Sequence, residues 1–323
     1  RGVYTFSNGH VYEGDFINDE ANGVGAYYYT TDTTPATRQR HYYKGQWKND
    51  KRHGRGVYQY PNGSKYSGQW RHNRIHGDGT LSLANGTKYL GTFADGRKHG
   101  RGILVTARSG NRYAGDFREN KMCGEGRMRY GVSGDVYEGQ WRDNARHGRG
   151  CLRYFNGNVY VGEFARDDRH GTGVMTYLPG TILEEMYDGE WRRDERHGFG
   201  TWYFRKDIGT VYAGLWHHGK RHERGLFTFK DNSRYEGEFT NDRQTGKGKY
   251  TWPDGSYYEG DFVDGKRHGY GTLYTSGNGE TYKGEFLHNL KHGEGEVISR
   301  EGNSFKGEWV NDMMQGKGQY ELR

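Results

Sequence analysis

Tyr258-Glu259-Gly260-Asp261-Phe262 begins the stretch that decides the fold, and the stretch continues through residues 263–267 to His268-Gly269-Tyr270-Gly271. Its opening pattern, Tyr-x-Gly-x-(Phe or Trp), starts at thirteen positions, the last with Phe as its first residue: Tyr12, Tyr43, Tyr66, Tyr89, Tyr113, Tyr137, Tyr160, Tyr187, Tyr212, Tyr235, Tyr258, Tyr282 and Phe305. Most copies are 23 or 24 residues apart, and the longest spacing is 31 residues. A period kept over twelve intervals indicates an array of short structural repeats.

Composition limits what these repeats can build. Hydrophobic residues are 31% of the 323, mean hydropathy is −1.16, and 55 residues are Gly, so aromatic rings rather than aliphatic side chains must supply the core. No apolar run approaches the roughly 18 residues of a membrane span, and no signal-type leader is recognisable. We therefore expect a soluble cytoplasmic protein with reduced thiols at Cys123 and Cys151. The net charge of +7 favours acidic partners without choosing among lipid, nucleic acid and protein.

Within a repeat, side chains alternate with period two. Tyr66, Gly68 and Trp70 point to one face, whereas Ser67 and Gln69 point to the other, which is typical of a β-strand. The second half of each repeat alternates in the same way, so each repeat is predicted to be a β-hairpin. The central glycine is predicted to act sterically, by leaving room for the flanking rings.

The connections also have a pattern. Residues 1–11 read as the second half of a truncated repeat, and residues 12–323 as a continuous array with longer surface connections at 30–42 and 178–186. Between hairpins, we predict two-residue turns with positive φ at five pairs: Asn8-Gly9, Asn62-Gly63, Asn85-Gly86, Asn156-Gly157 and Asp254-Gly255.

These residues resemble the MORN repeat (membrane occupation and recognition nexus), and the resemblance covers essentially the whole chain. It implies an all-β fold: an elongated single-layer antiparallel sheet of about thirteen consecutive hairpins, aromatic on one face and polar on the other. Some copies depart from the pattern, since Glu223 replaces Gly after His222. We call the opening Tyr or Phe of each copy the anchor, and the position ten residues after it, where most copies have His, the His slot. Four copies have another residue in the His slot: Asn22, Cys123, Thr245 and Gln315. The His is therefore dispensable.

Histidine at a repeated position argues against a catalytic or metal role, because such sites are used once. We expect these imidazoles to close the hairpin turn and to bond local backbone, with bound metals as the minor alternative. The Gly-x-Gly segments lack the following helix that phosphate binding needs. No catalytic, cofactor or metal residue is predicted, and no enzyme activity. Nine of the fifteen histidines occupy this slot: His53, His76, His99, His147, His170, His197, His222, His268 and His292.

A basic residue precedes the His slot in eight repeats, and we call these residues the basic ladder: Arg52, Lys98, Arg146, Arg169, Arg196, Arg221, Arg267 and Lys291. Exposed along one edge, they would suit anionic lipid headgroups or the acidic surface of a microtubule. The alternative is a locally paired edge, since carboxylates stand two to four residues earlier at Asp50, Asp95, Asp143, Asp167, Asp194 and Asp264. Nucleic acid is disfavoured because the rings are committed to covering the sheet.

The leading functional hypothesis is a non-enzymatic scaffold for protein–protein assembly. The resemblance points to radial spoke head proteins of the ciliary axoneme, and also to cytoskeletal MORN scaffolds of protists. A peripheral membrane module that binds anionic phospholipids or phosphoinositides, as the resemblance to junctophilins and plant phosphoinositide kinases suggests, is the second hypothesis, and the targeting region of a larger enzyme is the third. The C-terminal hairpin, residues 305–323, is predicted to pair with a second copy or an assembly neighbour.

Overall fold

The computed structural model describes residues 1–29, 41–206 and 208–323. These ranges contain no helix, which confirms the all-β prediction. Two strands with a short turn make each repeat, and the first strand of the chain precedes the first complete hairpin. The strands are β1 (Gly2–Thr5), β2 (Val11–Ile17), β3 (Glu20–Tyr28), β4 (Tyr42–Lys48), β5 (Lys51–Gln59), β6 (Lys65–Arg71), β7 (Arg74–Ser82), β8 (Lys88–Ala94), β9 (Arg97–Val105), β10 (Arg112–Arg118), β11 (Lys121–Arg129), β12 (Val136–Arg142), β13 (Ala145–Arg153), β14 (Val159–Ala165), β15 (Asp168–Tyr177), β16 (Glu185–Arg192), β17 (Glu195–Tyr203), β18 (Val211–His217), β19 (Lys220–Thr228), β20 (Arg234–Thr240), β21 (Arg243–Thr251), β22 (Tyr257–Val263), β23 (Lys266–Thr275), β24 (Glu280–Leu287), β25 (Leu290–Ile298), β26 (Ser304–Val310) and β27 (Met313–Glu321).

The chain divides into two compact units. Unit 1 comprises residues 1–155 with 164–167, and unit 2 comprises residues 156–163 with 168–323. In unit 1, strands β1 to β13 pair antiparallel in chain order. In unit 2, strands β15 to β27 do the same. Each unit is therefore a run of consecutive hairpins, as the periodicity predicts.

The anchor tyrosines form the core. All twelve are 0–2% exposed, and each has its ring edge-on to an aromatic ring of the next repeat. Tyr43 shows the arrangement, because its centroid lies 5.2 Å from Trp47 in the same strand and 5.2 Å from Trp70 in the next hairpin. Edge-to-face contacts of this kind contribute about 0.5–1.5 kcal/mol each beyond area burial. Stability is therefore shared between neighbouring repeats rather than held inside one.

The glycines are steric, as predicted, and they act in facing pairs. Gly45 pairs with Gly56 across the hairpin, and the Tyr43 ring lies over both. A Cβ on Gly56 would lie 2.3 Å from Tyr43 Oη, and one on Gly45 would lie 2.4 Å from the Gly56 Cα. Because these contacts are with backbone and a buried ring, the pair accepts no larger residue. The Tyr43 hydroxyl donates to the Gln46 carbonyl at 2.9 Å, so the buried phenol is satisfied.

The two-residue turns with positive φ lie inside the hairpins, between the two strands of one repeat. Asn49 and Asp50, for example, have φ of 49° and 60°, as type I′ hairpin turns require at both positions. The hairpin prediction implies these turns, but their type went unrecognised in the sequence, since His, Glu and Arg stand first in several of them. The thirteen turns lie at residues 18–19, 49–50, 72–73, 95–96, 119–120, 143–144, 166–167, 193–194, 218–219, 241–242, 264–265, 288–289 and 311–312.

The Asn-Gly and Asp-Gly pairs connect one hairpin to the next with positive φ at the glycine, as predicted, but the loops are longer than two residues. After β1 the loop is longer, closed by the Phe6 N–H to the His10 carbonyl at 2.8 Å. Only Gly9 has positive φ, whereas the Asn8 side-chain oxygen accepts the His10 N–H at 3.0 Å. Asn therefore acts through its side chain, as in an Asx turn. Asn62, Asn85, Asn156 and Asp254 do the same.

Glu223 stands where every other complete repeat has a glycine with positive φ, and its own φ is 52°. This conformation costs an L-residue about 1–2 kcal/mol. We expect Glu223→Gly to stabilise the protein by about 1 kcal/mol, since added chain flexibility offsets part of the gain. The urea midpoint should rise. Gly246→Ala, which adds a side chain at the equivalent positive-φ position of the next repeat, should lower the midpoint. A midpoint for Glu223→Gly at or below that of wild type would show that the positive φ of Glu223 does not destabilise the protein.

The sequence also singles out two long connections and the C-terminal hairpin. Most of the predicted connection at 30–42 lies outside the described residues. The predicted connection at 178–186 is shorter in the structure, where residues 178–184 join β15 to β16, and the Thr181 N–H donates to the Leu178 carbonyl at 3.2 Å. Every residue of β27 is exposed, including Met313 at 63% and Met314 at 60%. Pairing of the C-terminal hairpin with another chain stays a prediction.

Candidate functional site

The basic ladder is half-buried against the aromatic rings, so its prediction as a solvated edge is wrong. The guanidinium of Arg169 lies 4.2 Å from the Trp191 ring centre, and that of Arg196 lies 4.1 Å from Trp202 and 4.4 Å from Trp216. Desolvation lowers the pKa of Lys98, Arg196 and Arg267. Cation–π stacking accounts for this placement, since a flat guanidinium covers the ring edges that a single-layer sheet leaves open.

The partners of the ladder also differ from the prediction. Arg169 donates from Nε to Asp194 Oδ1 at 2.9 Å and from Nη2 to the Asp194 carbonyl at 2.8 Å, and Asp194 lies in the turn of the next repeat. The Asp194 N–H returns a bond to the Arg169 carbonyl at 3.1 Å. Arg146 with Asp167 and Arg221 with Asp242 repeat the pattern. We call this reciprocal contact the turn clamp, and it joins successive hairpins.

The Arg169 clamp provides a direct test of the ladder. Its side chain is 17% exposed, stacks on one ring and makes two charge-assisted bonds, so we expect Arg169→Ala to cost about 2 kcal/mol. Arg169→Lys should cost less, because Lys98 and Lys291 occupy the same slot. Urea denaturation measures both, with exposed Arg192→Ala as the control. Equal midpoints for Arg169→Ala and Arg192→Ala would place Arg169 in solvent.

The predicted bonding of the slot histidines to local backbone is also wrong in four repeats. Nδ1 of His53, His76, His268 and His292 is buried without a hydrogen-bond partner in the described part of the chain. Desolvation, followed by His72, Lys48 and Arg71, lowers the pKa of His53. In these repeats Nδ1 of the imidazole makes no bond that the fold depends on, which explains why Asn, Cys, Thr or Gln can replace the His in other repeats.

The polar face of unit 2 contains a trough. Its floor is a row of paired glycines, Gly214, Gly225, Gly237, Gly248, Gly260 and Gly271, and its volume is about 790 Å³. Phe199 stands in β17 at one end, 56% exposed, and Tyr270 stands in β23 at the other, 60% exposed. Six strand spacings separate them, which is about 29 Å. Two large exposed rings thus border a trough whose other lining side chains are mostly polar.

Charged side chains form the walls between those two rings. Lys247 Nζ lies 2.6 Å from Asp261 Oδ1, and Lys249 Nζ lies 3.2 Å from Glu259 Oε2, so these four charges are paired across neighbouring strands. Two further carboxylates, Glu236 and Glu238, and one guanidinium, Arg224, line the same trough, and Leu226 adds an apolar side chain. The walls can thus offer hydrogen bonds and ion pairs to a polypeptide lying along the floor.

Unit 1 has shallower hollows on its polar face. One, of about 520 Å³, is lined by Leu90, Ile103 and Ala114, which are paired across three neighbouring strands. Leu90 is 55% exposed and also borders a second hollow of about 490 Å³. These residues and those of the unit 2 trough went unrecognised in the sequence. The signal available was an apolar or aromatic side chain at a position that is polar in most repeats.

The described residues offer little to reaction chemistry. No group of three or more His, Cys, Asp or Glu side chains in them is arranged to hold a metal ion. Cys123 and Cys151 are free and half-buried, and desolvation raises the pKa of Cys123. Across these ranges, no helix has the length and apolarity to cross a membrane. The fold is of a type that is generally non-catalytic.

Comparison with known proteins places the chain in a family. No curated protein matches it. The TCP domain of SAS-4 from Drosophila melanogaster, in complex with a proline-rich motif of Ana2, is 14% identical, with a TM-score of 0.28 over 55% of this chain and 84% of that one. A streptogramin B lyase is 12% identical, with a TM-score of 0.13 over 80% and 89%. Neither likeness bears on the function of this chain.

The MORN repeat model matches fourteen segments, at residues 1–11, 12–34, 43–65, 66–88, 89–108, 113–133, 137–159, 160–182, 187–207, 212–234, 235–257, 258–279, 282–304 and 305–323. The chain therefore belongs to the MORN repeat family.

Proposed function

We propose that the protein is a non-enzymatic scaffold that docks linear segments of other proteins along the trough of unit 2. The exposed rings of Phe199 and Tyr270 carry this proposal, because each is an aromatic anchor about 29 Å from the other. Paired charges and glycine backbone between them suit a polypeptide better than a compact small molecule. The ciliary axoneme, at a radial spoke head or a related cytoskeletal assembly, is the setting that we propose.

The test is incorporation into axonemes in ciliated cells. Phe199→Asp with Tyr270→Asp should abolish co-purification with axonemes, since both rings are lost while the aromatic face is untouched. Phe155→Asp is the matched control, because Phe155 is 82% exposed on a connecting loop of unit 1. Normal incorporation of the double variant would reject the trough as the docking site. Absence of the wild-type protein from axonemes would reject the setting.

Membrane binding is the second candidate function. The half-buried basic ladder argues against it, because the ladder residues contact rings and turns of the protein itself. Arg52 stacks 4.5 Å from the Trp70 ring centre and donates to the Asn73 carbonyl at 3.0 Å, so it is not free to meet a headgroup. We expect weak, salt-sensitive binding to vesicles of phosphatidylserine and phosphatidylcholine, and no preference for one phosphoinositide. Sedimentation with such vesicles measures it. Submicromolar binding to a single phosphoinositide at physiological salt would make membrane binding the first candidate function and the scaffold the second.

A further inference from the structure

The net charge of the protein is divided unevenly between its two units. Unit 1 contains 26 Lys and Arg residues against 15 Asp and Glu, a net charge of +11, whereas unit 2 contains 22 against 26, a net charge of −4. The two values add to the +7 of the whole chain. The charge that favours acidic partners therefore lies in unit 1, although the trough with its two exposed rings lies in unit 2.

A line of cations crosses the polar face of unit 1, at the strand ends next to the connecting loops. Its five basic residues alternate along their strands with buried anchor or apolar residues, so they point away from the aromatic face. The line spans seven strand spacings, which is about 34 Å, and contains no carboxylate. It is contiguous, because each member pairs in register with the next: Lys65, Ser82, Lys88, Val105, Arg112, Arg129, Val136 and Arg153. We call the five basic residues of this line the cation row.

The cation row is free to meet a partner. All five residues are exposed, and within the described ranges none of them forms an ion pair, whereas Arg101 in the same unit pairs with Asp116. Arg112 and Arg129 stand directly opposite each other, and like charges in that position are destabilising. An anion bound between these two guanidinium groups relieves the repulsion.

The repeat does not require cations at these positions. In the described residues, the corresponding line of unit 2, from β16 to β27, has Arg234 as its one cation. Thr228, Thr251 and Thr281 are among the residues that take the other places. The cation row is therefore a property of unit 1 and not of the hairpin.

An apolar hollow lies beside the cation row. Leu90, Ile103 and Ala114 pair with one another across β8, β9 and β10, one row further from the connecting loops. Leu90 follows Lys88 by two residues and Ala114 follows Arg112 by two, so each apolar side chain stands about 7 Å from a cation on the same face. A partner that lies along the cation row can thus place an apolar side chain in the hollow.

This combination favours an acidic polypeptide over other polyanions. Single-stranded nucleic acid binds through bases that stack on exposed aromatic rings, and neither the line of the cation row nor the hollow contains a ring. A lipid surface meets cations spread over an area, whereas this row is one residue wide. A polypeptide supplies both carboxylates and an apolar side chain, and about ten extended residues span 34 Å.

We propose that the polar face of unit 1 binds an extended acidic segment of a partner protein. The carboxylates of the segment meet the cation row, and an apolar side chain enters the hollow formed by Leu90, Ile103 and Ala114. Complementary charge of this kind speeds association and selects the partner. The site is separate from the trough of unit 2 and does not depend on the proposed function.

The experiment is fluorescence polarisation of a labelled synthetic peptide with the full chain. The peptide has about twelve residues, with two central leucines flanked on each side by glutamates. We expect micromolar binding at about 50 mM salt that weakens about tenfold at about 300 mM, since exposed charges are screened. A second peptide, with serines in place of the leucines, should bind about fivefold more weakly because it leaves the hollow empty.

Arg112→Ser with Arg129→Ser is the deciding variant. It should weaken binding of the leucine peptide about fivefold or more, and it should fold, since Ser82 stands in the same line. Arg118→Ser with Arg142→Ser is the matched control, because it removes the same charge from exposed residues at the turn ends of β10 and β12. Its effect should stay below about twofold, since these residues lie away from the cation row. Circular dichroism checks the folding of both variants.

Leu90→Ser tests the hollow separately, and it should fold because Ser67 occupies the same row in β6. It should lower the affinity for the leucine peptide to that for the serine peptide. Equal weakening by the two double variants, or no binding of the leucine peptide by the wild-type chain, would overturn the site. Tighter binding of phosphatidylserine vesicles or of a single-stranded oligonucleotide than of the peptide would overturn the choice of an acidic polypeptide.

Discussion

Raising the pH from 9 to 12 is expected to unfold the protein cooperatively. Burial raises the pKa of Tyr12, Tyr89 and Tyr258 to about 12, and it raises the pKa of most other anchor tyrosines further still. An unfolded tyrosine titrates near pH 10. Between these values the unfolded chain has lost phenolic protons that the folded chain keeps. The stabilisation is therefore complete below pH 10 and is lost as the pH rises through the folded pKa.

The size of this effect follows from the number of tyrosines. Each proton released on unfolding lowers the free energy of unfolding by about 1.4 kcal/mol per pH unit, and the core tyrosines act together. Tyrosinate absorbance and far-UV circular dichroism should change in one steep transition between pH 10 and 12. The same chain in concentrated urea is the control, because its tyrosines should titrate gradually near pH 10. Retention of β-structure while all tyrosines ionise would show that the anchor tyrosines are not buried in the core.

Gly162→Val is expected to cost about 3 kcal/mol or more. A Cβ at Gly162 would lie 2.5 Å from the Gly173 Cα, 2.6 Å from Tyr160 Oη and 2.7 Å from the Thr172 carbonyl oxygen. Two of these atoms are backbone, and the third belongs to a ring that cannot move without exposing the core. The branched side chain therefore forces the hairpin apart.

Glu163→Val is the matched control, since Glu163 is the next residue and points to the polar face. Its carboxylate accepts a bond from the Thr172 hydroxyl at 3.2 Å, and loss of that bond should cost less than about 1 kcal/mol. Urea denaturation of both variants compares the faces directly. Similar midpoints would show that Gly162 is not confined between Tyr160 and Gly173.

The hairpins and their two faces were predictable because they depend on local alternation. Tyr66, Gly68 and Trp70 on one face follow from spacing alone, and so does the array. The turn type was not predictable, because His72 and Arg193 in positive-φ positions carry no turn signal of their own. The strand register, set by facing glycines, imposes those conformations on them.

The candidate site was less accessible to sequence reasoning. From the sequence alone, an Arg before the His slot is expected to be exposed. The ring that covers Arg169 lies in another strand, and the Asp194 carboxylate that pairs with it lies in the next repeat. The trough residues Phe199 and Tyr270 are far apart in sequence, and only the sheet shows that they bound one hollow.

The turn clamp also has a direction. The Arg169 side chain reaches forward to Asp194 in the following hairpin, and the Asp194 carboxylate reaches back to accept the Arg169 main-chain N–H at 3.0 Å. The Arg therefore always belongs to the earlier hairpin and the Asp to the later one. Such a chain can be lengthened or shortened by whole periods during evolution. Extra residues between hairpins are tolerated, since Arg169 meets Asp194 across the long connection after β15, whereas a gain or loss of a residue within a strand would place the Arg opposite the wrong atoms.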